Sequence, residues 1–325
     1  MSAAPLTIGL FSKGRLKEQA EAWLADCGLA LETEGGERGY VASIQALPEA
    51  RVLLLSSADI AVGLDSGELH MGVCGEDLLR EREAVDAHVL LLRALGFGHA
   101  DLVVAAPASW IDVDTMADLE EVAAAFVART GRRMRVATKY MSQTRAFFAD
   151  HGVVDYRIVE SSGATEGAPS AGQAELIVDI TTTGATLAAN GLKVLEDGLI
   201  LESQAQLCAS LAADWTPAQL AVATRLIDVV EARARALGAA LVSWPPEQAE
   251  AAGAATESFL ALGASRRAQG LLAPAGDLFA VAAALARAGV GPVSIVRPDF
   301  AFEPRSATAA RLSDRLKLDD HAARD

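Results

Sequence analysis

Cysteine is scarce in this sequence, and the few cysteines present show no pairing pattern. Cys27, Cys74 and Cys208 are an odd number of scattered residues. Such a set excludes a disulfide framework and a cysteine-ligated zinc site, and it is typical of proteins from a reducing compartment. We therefore predict a cytoplasmic protein.

Further absences exclude other classes of protein. The apolar runs are short and interrupted by charges, so no transmembrane helix is predicted, and the first residues, MSAAPLTIGLFSKGRL, lack the pattern of a signal peptide. The five histidines have no metal-ligand spacing, so we predict no metal site built by protein side chains. The phosphate-binding pattern GxxxxGK[ST], the dinucleotide pattern GxGxxG after the first strand and the nucleophile pattern GxSxG are also missing.

Positive charge is in short supply as well. The formal net charge is −15, and a field of this sign repels nucleic acids and anionic membranes, so we expect neither as a partner. An anionic substrate would need local clusters of basic residues. Lys13 and Arg15 form one such cluster between a predicted strand and a predicted helix, and Arg38 is another candidate. The third candidate is the basic run from Arg129 to Arg145, which includes Lys139. Its first part, residues 129–133, is assigned to a helix end at Gly131, because cations stabilise helix C-termini.

What is present is the material of a globular protein. The 325 residues are 51% hydrophobic and 22% charged, which predicts two or three domains. Hydrophobic periodicity predicts an α/β fold of largely parallel sheets with helices on both faces. Gly96 and Gly98 precede a new strand and are predicted to mark a crossing between two lobes. The predicted strands of this part are 6–10, 52–55, 71–74, 102–106, 135–138, 156–159 and 176–180, and the predicted helices are 17–27, 59–69 and 116–129.

The segment VDITTTGATL, residues 178–187, carries the clearest functional signal. It lies at the carboxyl end of a predicted strand, where ligands bind in α/β sheets. Free N–H groups at a helix start, together with threonine hydroxyls, form a cradle for a phosphate, while Asp179 can accept hydrogen bonds from the vicinal hydroxyls of a ribose. One threonine would suffice to cap the helix, but four occur within six residues. We therefore predict a 5-phosphoribosyl site, with helix capping as the alternative.

Several segments of the chain resemble ATP phosphoribosyltransferases, the enzymes that open histidine biosynthesis. The matching segments are LFSKGRLKE, GVCGEDLLRE, LGFGHADLVVA, RVATKYMSQTRAFF, SSGATEGAP and LIVDITTTGATLAANGLKVLE, and they follow the family's order. The resemblance implies a two-lobed catalytic core like a type II periplasmic binding protein. It also implies ATP and 5-phosphoribosyl 1-pyrophosphate as substrates, and Mg²⁺ held mainly through the substrate phosphates.

The resemblance assigns site residues one by one. Lys13 and Arg15 match the family's N-terminal basic pair at the cleft, and Arg38 resembles the arginine that reaches toward the pyrophosphate. It therefore implies Lys13 and Arg38 as catalytic residues and Arg15 as a contact for ATP. Glu166 matches the glutamate of the family's SGAxE turn and is expected in the same cleft. The loop that binds phosphoribosyl pyrophosphate is matched by Asp179, Thr181, Thr182, Thr183, Gly184, Ala185 and Thr186.

One position departs from the family pattern. Where much of the family has an arginine and a proline, this chain has Ser56 and Ser57. A cation near the leaving pyrophosphate is thus missing there, and Arg38 or Lys13 is expected to take over its role.

Two acidic residues also match a family turn. Glu76 and Asp77 open a predicted helix. Acidic residues at this position stabilise a helix electrostatically, so we assign them to the fold and leave them out of the site.

The domain boundaries follow from these segments. Residues 1–98 with 190–215 are expected to form lobe one, residues 99–189 lobe two, and residues 216–325 a C-terminal domain. The last part is predicted to contain a helix at 219–237, a strand at 240–244, a helix at 247–262, an apolar segment at 270–273, a helix at 278–288 and a strand at 293–297. This order resembles the ferredoxin-like or ACT-like α+β domain of the family's long form, with its central strand pair compressed into SRRAQGLLAPAGD.

This second resemblance implies a regulatory domain, with histidine as inhibitor and a homo-oligomer, either dimer or hexamer. The alternative is an unrelated helical extension on a short-form catalytic chain, which depends on a separate regulatory subunit.

The function implied is transfer of the phosphoribosyl group from phosphoribosyl pyrophosphate to N1 of ATP, with release of pyrophosphate. Two alternatives stay open. A non-catalytic two-lobed ligand-binding or regulatory protein could use the same scaffold, although it would not need the intact loop. A phosphoribosyltransferase with another base is the second, although such enzymes usually carry two adjacent acidic residues where this chain has Val178 and Asp179.

Overall fold

A computed structural model describes residues 4–34, 39–82, 85–161 and 163–318. Contacts between residues divide the chain into two units, Met1–Trp23 with Leu31–Trp215, and Leu24–Ala30 with Thr216–Asp325. The described strands form two sheets in the first unit and one in the second. None of the helices in these described ranges has the length and apolar character needed to span a membrane.

The first unit alternates strands and helices, and each predicted element is found with its ends displaced by a few residues. Its strands are β1 (Leu6–Phe11), β2 (Leu31–Glu34), β3 (Val41–Ile44), β4 (Leu47–Leu55), β5 (Met71–Gly75), β6 (Val89–Ala94), β7 (Ala100–Pro107), β8 (Met134–Thr138), β9 (Tyr156–Glu160), β10 (Leu176–Thr181), β11 (Leu192–Ser203) and β12 (Ala205–Ser210). Its helices are α1 (Gly14–Asp26, of which the residues from Leu24 onward belong to the second unit), α2 (Ser57–Ser66), α3 (Glu76–Arg80), α4 (Val85–His88), α5 (Met116–Thr130), α6 (Met141–Asp150) and α7 (Ala185–Ala189).

Lobe one is built on the sheet with the order β2-β3-β4-β1-β5-β12-β6. In its centre β1 lies parallel to β4 and β5, and the outer strands are antiparallel to their neighbours. The prediction of a largely parallel sheet is wrong for these outer strands. The short turn between Ile44 and Leu47, for example, permits only antiparallel pairing of β3 with β4.

Lobe two is built on the sheet with the order β11-β7-β10-β8-β9. Here β8, β9 and β10 are parallel, while β7 is antiparallel to both β10 and β11. The assignment of residues 190–215 to lobe one is therefore wrong up to Ser203. The strand β11 forms a ladder with β7, with Val194 opposite Ala105 and Glu202 opposite Asp101, so lobe two extends to the end of β11.

The chain crosses between the two lobes twice. The first crossing lies between Ala94 and Ala100 and contains Gly96 and Gly98, which have φ angles of 73° and 67°. These left-handed values favour glycine. The chain leaves the first sheet at β6 and enters the second at β7, so the change of sheet falls at the glycine pair, where the crossing was predicted. The second crossing is the single residue Gln204 between β11 and β12.

Helix α5 shows how local sequence sets the ends of an element. Thr115 caps it in a capping box with Asp118, and Gly131 ends it with φ 72°. The basic run 129–133 therefore lies at a helix C-terminus, as predicted.

The second unit contains the predicted strand and helix order. Its elements are α8 (Pro217–Leu237), β13 (Ala239–Ser243), α9 (Ala249–Leu260), β14 (Ser265–Arg267), β15 (Gly270–Pro274), α10 (Leu278–Arg287), β16 (Ser294–Val296) and α11 (Ala307–Leu316). The sheet order is β14-β15-β13-β16 with antiparallel neighbours, which is the strand order of a ferredoxin-like βαββαβ unit. The compressed strand pair is present as the short hairpin β14–β15, whereas α11 has no counterpart in the sequence prediction.

Candidate active site

The carboxyl end of β10 opens into a pocket of about 270 Å³. The first half of this strand is buried at Leu176, Ile177 and Val178, and Asp179 is the first residue to reach the surface. The pocket is lined by Ala100, Glu166, Asp179, Ile180, Thr181, Thr182, Thr183, Thr186 and Leu187. The structure thus brings together the aspartate, the threonines and Glu166 that the sequence placed in one site.

The threonines shape the loop as well as lining it. The Thr181 hydroxyl accepts a hydrogen bond from the Gly184 N–H at 2.9 Å, and the Thr183 hydroxyl accepts one from the Ala185 N–H at 3.4 Å. The Thr182 hydroxyl donates to the His99 carbonyl at 3.1 Å, which ties the loop to the crossing segment. Because Thr181 and Thr183 act as acceptors here, their O–H groups remain free to donate to an anion.

Helix α7, which follows this loop, is only one turn long. Gly184 stands at its N-cap position with φ 72°, a value that favours glycine. The Ala185 N–H donates to Thr183, whereas the N–H groups of Thr186 and Leu187 have no acceptor within the helix. Both residues line the pocket, so they add donors at its rim.

Asp179 is a half-buried carboxylate, and its surroundings shift its pKa in both directions. Burial raises the pKa of Asp179 above its ordinary value, and the negative charge of Glu166 acts in the same direction. The N–H of Ile180, which donates to Oδ1 at 2.8 Å, and the charge of Lys139 act against it. A carboxylate in this state gains stability from hydroxyl donors or a cation, and vicinal ribose hydroxyls are donors of that kind.

Glu166 is presented to the pocket by a strained turn. Ala164 has φ 50°, a left-handed value that is uncommon for a residue other than glycine. A short 3₁₀ turn, Thr165–Gly167, follows it. The buried Thr165 hydroxyl lies 3.0 Å from that of Ser161, which fixes the turn to the end of β9.

Lys139 and Tyr140 lie near this pocket but were not among the residues predicted for the site, although Lys139 belongs to the basic run that ends at Arg145. They follow β8, whose carboxyl end lies at the same edge of the sheet as that of β10 because the two strands are parallel. The Lys139 Nζ lies 4.8 Å from the centre of the Tyr140 ring, a cation–π contact, and its charge lowers the pKa of Asp179. Their position directly after the predicted strand 135–138 was the signal that could have found them.

The basic pair lies at the corresponding edge of lobe one. Lys13 and Arg15 follow β1, and the backbone N–H of Ser12 bonds to the Leu55 carbonyl at 2.9 Å, which aligns the ends of β1 and β4. Both side chains are exposed, and neither forms an ion pair or hydrogen bond with the part of the chain that the structure describes. Two unpaired cations at the end of a parallel strand are suited to an anionic ligand. Arg38 lies outside the described residues.

The position at which this chain departs from the family pattern, Ser56 and Ser57, lies at the start of helix α2. Ser56 is the N-cap of α2: its hydroxyl accepts from the Asp59 N–H at 3.2 Å and donates to the Asp59 carboxylate at 2.6 Å. Ser57 is the first helical residue, a place where proline is also favoured. The substitution therefore keeps the start of α2 and removes the cation.

Asp77 has a different role from the one predicted. It is 7% exposed, and its carboxylate accepts hydrogen bonds from the Tyr140 hydroxyl at 2.6 Å and from the Ser203 hydroxyl at 3.0 Å. The acidic residue therefore does more than stabilise a helix start, since it connects α3 of lobe one with two strand ends of lobe two.

The described residues contain no group of three or more His, Cys, Asp or Glu side chains that could hold a metal ion. Asp179 and Glu166 nevertheless line one pocket. Mg²⁺ is usually bound through one or two carboxylates, substrate phosphates and water. The donor set therefore fits an ion that arrives with a phosphorylated substrate.

The family model described as HisG, ATP phosphoribosyltransferase, matches residues 56–231. An ATP phosphoribosyltransferase from Caulobacter vibrioides (strain NA1000 / CB15N) is 64% identical over 316 residues, which cover 97% of this chain and 99% of that protein. This chain belongs to the ATP phosphoribosyltransferase family.

Two less similar proteins of the same name also match this chain, one in sequence and one in fold. The ATP phosphoribosyltransferase from Bradyrhizobium diazoefficiens is 49% identical over 323 residues, covering 97% of this chain and 99% of that protein. The solved structure of the ATP phosphoribosyl transferase (HisG:HisZ) complex from Thermotoga maritima is similar in fold, with a TM-score of 0.53 and 24% identity over 70% of this chain and 98% of that chain. The resemblance and the two-lobed α/β fold inferred from the sequence are confirmed.

Proposed function

We propose that this chain transfers the 5-phosphoribosyl group of phosphoribosyl pyrophosphate to N1 of ATP and releases pyrophosphate, the first step of histidine biosynthesis. One observation carries the proposal. In a member of the ATP phosphoribosyltransferase family, the β10 pocket combines a half-buried aspartate with hydroxyl and N–H donors. These are the two features that a ribose phosphate requires.

The binding roles follow from the geometry of the loop. Asp179 accepts hydrogen bonds from the ribose hydroxyls, and Thr181, Thr182, Thr183 and Thr186, with the backbone of Gly184 and Ala185, surround the 5-phosphate. Lys13 and Arg15, which are unpaired among the described residues, provide positive charge for ATP and for the pyrophosphate. Arg38 and Glu166 are assigned to the same cleft.

The reaction needs no protein nucleophile. Adenine N1 attacks the anomeric carbon as the bond to pyrophosphate breaks, and positive charge develops on the ribose ring while negative charge grows on the leaving group. The protein contributes by aligning the two substrates and by placing cations where negative charge develops. Lys139 is the cation whose charge acts on the carboxylate of the β10 pocket, so we assign it to the pyrophosphate together with Lys13. These two take the place of the cation missing at Ser56.

Mg²⁺ is the expected metal. Asp179 or Glu166 would hold the ion beside the phosphorylated substrate, and the bound ion would supply positive charge to offset that of the leaving group. The residues of this chain position the substrates around it.

We further propose that the second unit is regulatory, that it binds histidine as an inhibitor, and that the enzyme works as a homo-oligomer or with a separate regulatory subunit. The ferredoxin-like strand order of the second unit supports the first part, and the relative from Thermotoga maritima described as a HisG:HisZ complex supports the last. The cytoplasm is the proposed compartment.

The decisive experiment is an assay with purified chain, ATP, phosphoribosyl pyrophosphate and MgCl₂. We expect pyrophosphate and phosphoribosyl-ATP to form in equal amounts, as detected by a coupled assay and by mass spectrometry. Orotate, adenine and hypoxanthine in place of ATP serve as controls for another base. Absence of product, even after a regulatory subunit is added, would exclude the proposal.

The regulatory proposal has its own test. Isothermal titration calorimetry of the full chain with histidine should show saturable binding, and histidine should inhibit the assay. If the full chain binds no histidine and becomes active only with a second subunit, the second unit is not a histidine sensor.

A further inference from the structure

A buried hydrogen-bond network joins the two lobes, and none of its hydrogen bonds is needed to contact the substrates in the proposed reaction. Its centre is the carboxylate of Asp77, which accepts hydrogen bonds from the hydroxyls of Tyr140 and Ser203. Asp77, Tyr140 and Ser203 are 7%, 0% and 2% exposed. No ion pair to Asp77 is formed within the described residues, so neutral hydroxyl donors must stabilise this buried carboxylate.

The network lies where movement between the lobes would have to occur. Asp77 follows β5 of lobe one, Tyr140 follows β8 of lobe two, and Ser203 ends β11 directly before the second crossing. The backbone N–H of Asp77 also donates to the Ser203 hydroxyl at 3.0 Å. Any rotation of one lobe against the other would stretch these bonds.

A second set of contacts holds the same faces together. The Glu81 carboxylate of lobe one accepts from the backbone N–H groups of Ser142 and Gln143 at 2.7 and 3.2 Å, at the N-terminus of α6. The Gln143 side chain donates to the Asp77 carbonyl at 2.9 Å. A helix N-terminus is stabilised by a carboxylate in this position. We call these contacts between α3 and α6, together with the hydrogen bonds of Asp77 to Tyr140 and Ser203, the joint.

Because Gly75 has no side chain, the Asp77 carboxylate can lie close to the backbone at this position. A Cβ added at this residue would lie 2.4 Å from the Asp77 Oδ1 atom. Its φ is −67°, so an alanine would be acceptable to the backbone and would act only by displacing the carboxylate.

Tyr140 connects the joint to the site. Its hydroxyl is bonded to Asp77, while its ring supports Lys139, the residue whose charge acts on Asp179. The same side chain thus fixes the lobe-to-lobe geometry and a cation beside the phosphoribosyl pocket.

We propose that Tyr140 is a positioning residue that, through Asp77, sets the alignment of lobe one with the β10 pocket for the transfer step. The inference rests on the proposed function, because it assigns the cations of lobe one and the pocket of lobe two to one reaction. The ribose and the 5-phosphate of phosphoribosyl pyrophosphate are assigned to lobe two, and only its pyrophosphate reaches the exposed cations of lobe one, whereas the transfer step needs both lobes in register. Loss of the joint should therefore lower kcat far more than it weakens binding of that substrate.

The kinetic test compares Tyr140→Phe with Tyr156→Phe. Tyr156 is a half-buried tyrosine of lobe two that packs edge-on against Phe148, and its hydroxyl forms no hydrogen bond with the described residues. We expect Tyr140→Phe to lower kcat about 10- to 150-fold, the range for a hydrogen bond to a charged group, with the Kd of phosphoribosyl pyrophosphate changed less than about 3-fold. Tyr156→Phe should leave both quantities near the wild-type values. Equal effects of the two variants, or an unchanged kcat in Tyr140→Phe, would overturn the proposal.

A second pair of variants separates positioning from misfolding. Gly75→Ala displaces the Asp77 carboxylate while Tyr140 stays intact, and it should reproduce the kcat loss of Tyr140→Phe. Because both changes break one network, the double variant should be little worse than either single variant. Losses that multiply in the double variant would contradict a common joint.

The last measurement does not depend on the reaction. Spin labels at Val62→Cys in α2 of lobe one and Val154→Cys in lobe two occupy exposed positions, and the native cysteines are buried. Electron–electron double resonance should show a broader distance distribution in Tyr140→Phe than in Tyr156→Phe. The same distribution in both variants would overturn the joint, and a broadened one in a protein without transferase activity would keep the joint while excluding the proposed function.

Discussion

Two carboxylates at opposite ends of β10 differ in how the fold treats them. Glu175 lies directly before the strand and Asp179 near its carboxyl end. Glu175 accepts hydrogen bonds from the Arg132 guanidinium at 2.9 Å and from the Arg135 N–H at 2.6 Å. Burial acts to raise its pKa, but these arginines hold the pKa of Glu175 at about 2. At Asp179 burial has the larger effect, and the pKa is raised.

The difference separates a stabilising edge of the sheet from a binding edge. At the amino end of β10 Glu175 is paired with Arg132 and Arg135, so ionised Glu175 favours the folded state. At the carboxyl end the ionised Asp179 is partly desolvated, and no arginine of the described residues pairs with it, so it weakens the fold until a ligand supplies donors. The following predictions test this contrast, from the largest expected effect to the smallest.

Asp179→Ala should give the largest change. It removes the acceptor that we propose for the ribose hydroxyls, and a hydrogen bond to a charged group is worth about 1.5–3 kcal/mol. We expect kcat/KM for phosphoribosyl pyrophosphate to fall about 10- to 150-fold, with a much smaller change for ATP. Steady-state kinetics with each substrate varied in turn checks this. Equal losses for both substrates would place Asp179 outside the ribose site.

Glu175→Gln should change stability and leave the reaction nearly untouched. It weakens the ion pairs with two arginines that are partly open to solvent, so the free energy of unfolding should fall by about 1–2 kcal/mol. Urea denaturation at pH 7 measures this, and kcat/KM should stay within about 3-fold.

The pH dependence of that difference has a definite sign. Because the folded pKa of Glu175 is below the ordinary 4.5, its stabilisation is fully present above pH 4.5 and is lost as the pH falls through about 2. The gap between wild type and Glu175→Gln should therefore shrink on acidification. A gap that grew at low pH would contradict the assignment.

Asp179→Asn should act on stability in the opposite direction. The folded pKa of Asp179 is raised above the ordinary 3.8, so its ionisation destabilises the ligand-free fold as the pH rises through that value. The asparagine variant should be more stable than wild type at pH 7, by about 0.5–1 kcal/mol, and equally stable below pH 3.8. Thermal denaturation without substrate at both pH values decides this, and a variant less stable at pH 7 would refute the contrast.

Lys13→Ala and Arg15→Ala extend the contrast to the binding edge of lobe one. Since both cations are exposed and unpaired among the described residues, their removal should leave stability unchanged and raise the KM for ATP about 2- to 5-fold at low salt. The effect should fade toward 0.5 M NaCl, because salt screens exposed charges. An effect that does not change with salt would indicate a structural role.

The sequence predicted the elements whose signal is local. The stripe of α5 with Thr115 and Gly131 at its ends is one example, and the threonine loop after β10 is another. Even the compressed hairpin β14–β15 lies where the short segment SRRAQGLLAPAGD indicated.

What the sequence could not supply was pairing over long distances. The strand β11 is exposed at alternate and irregular positions, and only its ladder with β7 shows that it belongs to lobe two. For the same reason Asp77 looked like a helix-opening residue, because its partners Tyr140 and Ser203 are far away in the chain. The role of Lys139 depends on the parallel pairing of β8 and β10 in the same way.

Because the chain crosses between the lobes twice, lobe two is an insertion between two strands of lobe one, β6 and β12. Its first and last residues, Ala100 and Ser203, are opposite each other in the β7–β11 ladder, so the ends of about a hundred residues lie only about 5 Å apart. Lobe two therefore connects two strands of lobe one as a long loop with closely spaced ends would. The entropic cost of closing such a loop rises only slowly with its length. Evolution can therefore exchange or remodel one lobe, and with it the specificity for one substrate, while the sheet of the other lobe keeps its strand order.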